Sequence, residues 1–281
     1  MWHPVPGPFV SMAASGIYSL SGAGCNAGGS PRSVRSTHHQ ALMRTALLFQ
    51  KGNFVGPEYL GALGKAGIRP DFVATVGRMS EKSVAIERKR TAGRWNPPSL
   101  PADIDVPEFG YLEDPGLWQA LREDATDVVI QGGIGILKPE MLSVPEIGFL
   151  NIHPGRLPQY RGNACPEWAL HNKDDIYATA HLIDEGIDTG PVICAERYEV
   201  RPGWDYFDMR ANLYAHCGKV MIQALEILSA AGEDWADALT PQNQNDGCYW
   251  PKMDEATLTA LVDRMERESA PLRSGSPGPC C

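Results

Sequence analysis

From Thr45 onward the chain alternates short apolar runs rich in β-branched residues with stretches whose apolar residues recur at helical spacing, and few folds accept that order. Thr45–Gln50 reads as a strand and Val55–Ala66 as a helix, because Tyr59, Leu60, Leu63 and Ala66 share one face. Asp71–Val76 predicts a second strand, and Ser80 is placed to cap a polar helix running through Arg90. Val106–Tyr111 is a shorter strand, and Asp114 with Pro115 supplies a cap and first turn for a helix over Gly116–Glu123. Asp127–Gln131 and Phe149–Ile152 are further apolar strands. Such alternation with short connections predicts an α/β domain, a doubly wound, mostly parallel sheet with helices on both faces. Residues 178–184 and 191–200 follow as a β pair around a Gly-rich loop, then Tyr206–Ala230 as a long amphipathic helix. Beyond Gly232 the periodicity fades.

These elements divide the 281 residues into a domain over 43–230, a short region over 231–268 and two flanks. Residues 1–42 contain no acid and only Arg32 and Arg35 as bases, and they are rich in Ser, Gly and Ala, so a disordered extension is expected. Its apolar patch Phe9–Leu20 lacks a preceding Lys or Arg and is broken by Ser and Gly, which argues against a secretory leader. Met43 is an alternative start. The Ser-, Pro- and Gly-rich stretch 269–281 is expected to be a disordered tail.

Charge and cysteine content narrow the setting. The formal net charge of −9 opposes broad binding to nucleic acid or to an anionic membrane, and no apolar run is long enough to span a bilayer. The seven cysteines are scattered without a C-x-x-C pair, which suggests neither a disulfide framework nor a zinc site and favours the reducing cytoplasm.

Chemistry concentrates in two segments. In Asn-Ile-His-Pro-Gly-Arg-Leu-Pro-Gln-Tyr-Arg-Gly, residues 151–162, Asn151 and His153 point to one face at the end of a strand that Pro154 terminates. An amide and an imidazole side by side can donate to one oxygen, as stabilising the oxyanion of acyl transfer requires; the competing reading is a pair of ordinary turn residues. In His181-Leu-Ile-Asp-Glu-Gly-Ile-Asp-Thr-Gly190 a carboxylate, Asp188, sits between glycines and is free to approach a ligand, or simply forms an Asx turn. Gly132, Gly133 and Gly135 turn the chain at the carboxyl end of a strand, where open α/β sheets bind ligands.

Taken together, N-I-H-P-G-R-L-P-Q-Y-R-G, C-P-E-W-A-L-H-N and T-A-H-L-I-D-E-G-I-D-T-G-P-V-I resemble the formyltransferase N-terminal domain family, over about residues 45–230. That family includes glycinamide-ribotide, methionyl-tRNA and nucleotide-sugar formyltransferases. The resemblance implies that Asn151, His153 and Asp188 are the catalytic set. It implies 10-formyltetrahydrofolate as co-substrate, held by the backbone of Gly133, Gly135, Ile136 and Leu137 with Ile187 as the other wall, and no metal. It implies an amine acceptor and leaves a homodimer open. Many members carry Ser-Leu after His-Pro; here Gly155-Arg156 stands there, so the loop facing the substrate is expected to differ. Arg156 and Gln159 are the candidates for choosing the acceptor. Arg161 is a candidate contact for an anionic substrate or an anchor for its loop. His181 matches a supporting position in the ribotide enzymes or is a buried core histidine.

Four further points shape the functional expectation. About 50 residues follow Gly232, fewer than the tRNA-binding barrel of the methionyl-tRNA enzymes, so a small acceptor such as an amino sugar, ribotide or amino-acid derivative is favoured over tRNA. The same residues are compatible with a hydrolase that releases formate and with a non-catalytic ligand-binding module. Gly133-Ile134-Gly135 lacks a third glycine and is a poor dinucleotide fingerprint. Cys165 precedes Pro166 with no base implied beside it, which disfavours a nucleophile, and Trp168 reads as core.

Overall fold

The computed structural model describes residues 43–269. The expected extension over 1–42, with its apolar patch, and the tail beyond Ser269 lie outside those residues. Ser269 itself closes the last helix instead of opening a tail.

Within the described residues the order is β1 (Thr45–Lys51), α1 (Val55–Lys65), β2 (Phe72–Arg78), α2 (Glu81–Arg90), β3 (Glu108–Phe109), α3 (Pro115–Glu123), β4 (Val128–Gln131), α4 (Pro139–Leu142) and β5 (Gly148–His153). Then come β6 (Arg161–Gly162), α5 (Cys165–Asn172), β7 (Ile176–Leu182), β8 (Val192–Tyr198), α6 (Tyr206–Ala231), β9 (Tyr249–Trp250) and α7 (Glu255–Ser269). Seven strands form one sheet in the order β3-β2-β1-β4-β5-β7-β8, parallel from β3 to β5 and antiparallel across β7 and β8. The strand order reverses beside β1, so β1 and β4 part the connections to either side and open a crevice at their carboxyl ends.

Side-chain alternation explains the two layers. Leu47 and Phe49 of β1 join a core with Leu60 and Leu63 of α1 and Leu213, Val220 and Leu225 of α6. Ala46 and Leu48 face the other way, into a core with Leu117, Trp118 and Leu121 of α3. The caps follow the sequence: Ser80 accepts from the Ser83 amide, and Asp114 from the Gly116 amide.

Besides the one-turn α4, two helices were not expected from the sequence. Cys165–Asn172 begins on Ala164 in the left-handed region, an entry that no capping residue announces. The other, α7, carries Leu258, Leu261, Val262 and Met265 at helical spacing, and all four contribute to the α1/α6 core. The region after Gly232 therefore returns to the sheet domain. Thr240 bridges Val192 at the β8 edge, and β9 pairs with β6. No described helix is long and apolar enough to cross a membrane.

Candidate active site

The end of β5 sets the site. Leu150 and Ile152 enter the α1/α6 core and Phe149 the α3 core, so Asn151 and His153 leave the sheet on the side of Phe149, past the apolar layer. His181 lies opposite Asn151 on β7, and Thr179 opposite His153. The connection from β7 to β8 carries Asp188 back over this strand end.

Hydrogen bonds then fix which nitrogen holds which proton. His181 Nδ1 lies 2.9 Å from the Leu182 carbonyl, which can only accept, so that nitrogen is protonated and Nε2 is bare. Asn151 Nδ2, 3.0 Å from His181 Nε2, must donate to it, which orients the amide and leaves one N–H free. His153 Nε2 lies 2.7 Å from the Tyr160 carbonyl and donates to it by the same logic. Its Nδ1 faces Asp188 Oδ2 at 3.4 Å, and the same carboxylate oxygen accepts from the Gly162 amide at 2.9 Å.

Both histidines are buried, and burial is the largest influence on each. It lowers His153 below its ordinary 6.5, against the opposing pull of Asp188 and the Tyr160 carbonyl. It lowers His181 to about 4, aided by His153 and opposed by Asp188. At neutral pH the pair is uncharged, and His153 Nδ1 is a bare acceptor beside a carboxylate. The simple expectation of two donors on one oxygen is therefore modified. Asn151 has a free N–H in the resting state, whereas His153 offers one at Nδ1 only after taking up a proton.

The other candidate residues divide. Asn151, His153, His181 and Asp188 come together. Arg161 is buried, and its guanidinium donates to the side-chain oxygens of Gln242 and Gln244, so it anchors the C-terminal segment instead of facing a substrate. Gly155 is also buried; a Cβ there would lie 2.7 Å from His153 Nε2 and 2.8 Å from the Tyr160 carbonyl oxygen. The Gly in place of the more common Ser thus faces the histidine and not a substrate. Arg156 is exposed, with its guanidinium over the Tyr177 ring, and Gln159 is also exposed, with its carbonyl bound by the Trp250 indole. In the loops after β4 and β7, Ile136 is 86% and Ile187 54% exposed. Gly133 and Gly135 both stand at positive φ, and a side chain at Gly135 would meet nothing within 4 Å.

Three further groups contribute that sequence reasoning misses. Thr179 accepts from the Leu157 amide and donates to the Gly155 carbonyl, pinning the turn after His153. Its position two residues before His181, on the same strand face, was a usable signal. The Tyr160 carbonyl and the Gly162 amide are backbone groups and carry no sequence signature. Burial pushes the Cys165 thiol far up, consistent with an inert core residue. Among the described residues no cluster of His, Cys, Asp and Glu has the arrangement of a metal site.

Comparison with known proteins agrees with this construction. The model of the family described as formyl transferase matches residues 44–225, which contain every member of the cluster. The chain belongs to the formyl transferase family. Similar curated members include the methionyl-tRNA formyltransferase of Deinococcus radiodurans, 36% identical over 128 residues, an alignment covering 45% of this chain and 38% of that one. The methionyl-tRNA formyltransferase of Kosmotoga olearia is 33% identical over 165 residues, covering 58% and 52%. The chain thus spans about half the length of these relatives or less. Among solved structures, glycinamide ribonucleotide transformylase 1 from Symbiobacterium toebii superposes with a TM-score of 0.51 at 21% identity, covering 71% of this chain and 94% of that one. This likeness concerns the fold. The expected formyltransferase fold is the one observed, including its mostly parallel sheet.

Proposed function

We propose that the chain transfers a formyl group from 10-formyltetrahydrofolate to the amine of a small-molecule acceptor. The observation that carries this reading is the convergence of Asn151, His153 and Asp188 at the carboxyl end of β5 in a formyl transferase family member. The residues around the strand ends suit the folate. Exposed Ile136 and Ile187 offer aliphatic faces to a flat heteroaromatic ring, and the backbone of Gly133, Gly135 and Leu137 offers polar edges beside open space at Gly135. The bound folate supplies the electrophilic formyl carbon.

The chain's own groups do the rest. The free N–H of Asn151 donates to the oxygen on which charge develops as the amine adds. His153 Nδ1, bare in the resting state, accepts the proton the amine sheds, and Asp188 at 3.4 Å stabilises the imidazolium so formed. That imidazolium is a donor beside Asn151 and returns the proton to the departing nitrogen. No covalent bond to the protein is needed.

Turnover of 10-formyltetrahydrofolate by purified protein, followed as tetrahydrofolate absorbance, tests the proposal. Amino sugars, ribotide amines and amino acids are offered separately, with Asp188→Asn in parallel. Acceptor-dependent turnover lost in the variant supports it. Formate release without any amine would instead establish the hydrolase. The names of the curated relatives make initiator methionyl-tRNA a necessary arm of the assay, and turnover with it alone would replace the small-molecule acceptor.

A further inference from the structure

The carboxylate of Asp188 is held by an unusual route. Asp188 is a non-glycine residue at φ 55, in the left-handed region that only surrounding contacts can maintain. Those contacts come from far along the chain. Gln242 Nε2 donates to the Asp188 carbonyl at 3.0 Å and to the Gly190 carbonyl at 2.6 Å, closing the two sides of the turn on one amide. The Gln242 oxygen is in turn gripped by Arg161, through Nε at 3.2 Å and Nη2 at 2.7 Å. A guanidinium has donors only, so it fixes which end of the Gln242 amide faces Asp188. The remaining Arg161 nitrogen, Nη1, holds Gln244 at 2.8 Å. Arg161 also donates its own amide to the Cys248 carbonyl, and the next residue, Gly162, donates to the Asp188 carboxylate.

We propose that Gln242, oriented by Arg161, is a positioning residue for Asp188, and that the segment around it completes the site although it lies beyond the family match at 44–225. Its kinetic consequence rests on the formyl-transfer reading, but the geometry does not. Thr240, bridged to Val192 at the edge of β8, brings the segment to the Asp188 loop, and β9 on β6 anchors its far end. One amide thereby links a backbone strand edge, a buried cation and the loop that carries the carboxylate.

Gln242→Glu is the informative variant. It keeps the shape and the partner for Arg161, yet it replaces the two N–H donors with an acceptor facing two carbonyls. A displacement of the carboxylate by about an ångström lowers kcat by about 10–100-fold, with KM for folate and acceptor within about threefold of wild type. If Gln242 acts through Asp188, the same change adds no further loss in an Asp188→Asn background. A merely structural glutamine would lower the unfolding midpoint and give losses that multiply. Ring-nitrogen NMR of His153 in the full chain reads the same geometry without turnover: Gln242→Glu moves its titration in the direction that Asp188→Asn does. Gln242→Asn, which keeps the amide but shortens its reach, gives the same direction if the glutamate variant folds poorly. A protein that fails to transfer formyl yet shows the NMR shift refutes the reaction and leaves the positioning role standing. An unchanged His153 titration with kcat within about twofold of wild type overturns the proposal.

Discussion

Replacing Asn151 by aspartate isolates one donor. The structure fixes what is lost: the amide carries two N–H groups, one spent on His181 Nε2 at 3.0 Å and one free. Asp is nearly isosteric but has neither. If the free N–H is the donor to the developing oxyanion, its removal costs about 10²–10³ in kcat, or about 2.7–4 kcal/mol of transition-state stabilisation. A second effect is read separately. The new carboxylate oxygen stands where the amide nitrogen was, against the bare nitrogen of His181, and so favours a proton there. His181, now at about 4 through burial, is expected to titrate higher in the variant. The assay is single-turnover formyl transfer with saturating folate, paired with ring-nitrogen NMR of His181 and a thermal unfolding control. A variant that is folded and within about tenfold of wild type would show that Asn151 is not the donor. A His181 titration that stays where it was would refute the tautomer assignment on which the orientation of the amide depends.

Other expectations concern stability. Because burial keeps His181 neutral, the unfolded state takes up a proton first as the pH falls, so stability is full above 6.5 and is lost toward about 4; urea midpoints that do not fall across that window would count against a buried neutral histidine. Arg210→Met removes a cation 3.6 Å from Glu167, which is 1% exposed, and leaves it only Arg90 at 3.9 Å and the Tyr206 hydroxyl at 2.9 Å, so the change is expected to cost about 3 kcal/mol by chemical denaturation. Adding Glu167→Gln should return much of that loss. Gly190→Ala places a Cβ 1.9 Å from the Leu182 carbonyl oxygen, where only backbone could yield, and should cost about 3 kcal/mol or more. Gly64→Ala in α1 meets nothing within 4 Å and should instead stabilise by about 0.4–1 kcal/mol, so equal effects at the two glycines would overturn the packing argument.

Local physics left clear marks on the sequence. Alternating apolar runs identify β1, β2, β4 and β5, the Ser80 and Asp114 caps identify helix starts, and Asn151 and His153 are placed on one strand face by a period of two. These depend on residues a few positions apart, so a linear chain displays them. α7 was missed although Leu258, Leu261, Val262 and Met265 recur at helical spacing. What the sequence could not show depends on residues distant in the chain. Arg161 reads equally well as a substrate contact or an anchor until Gln242 and Gln244 arrive beside it, 81 and 83 positions later. Gly155 reads as a surface loop until the Tyr160 carbonyl and His153 close around it. The proton positions on both histidines follow from backbone carbonyls, groups that every residue possesses and no motif can mark. The residue types at the site are thus a local property of the sequence, but their protonation and orientation are set by burial and by backbone partners that only the folded chain brings within reach.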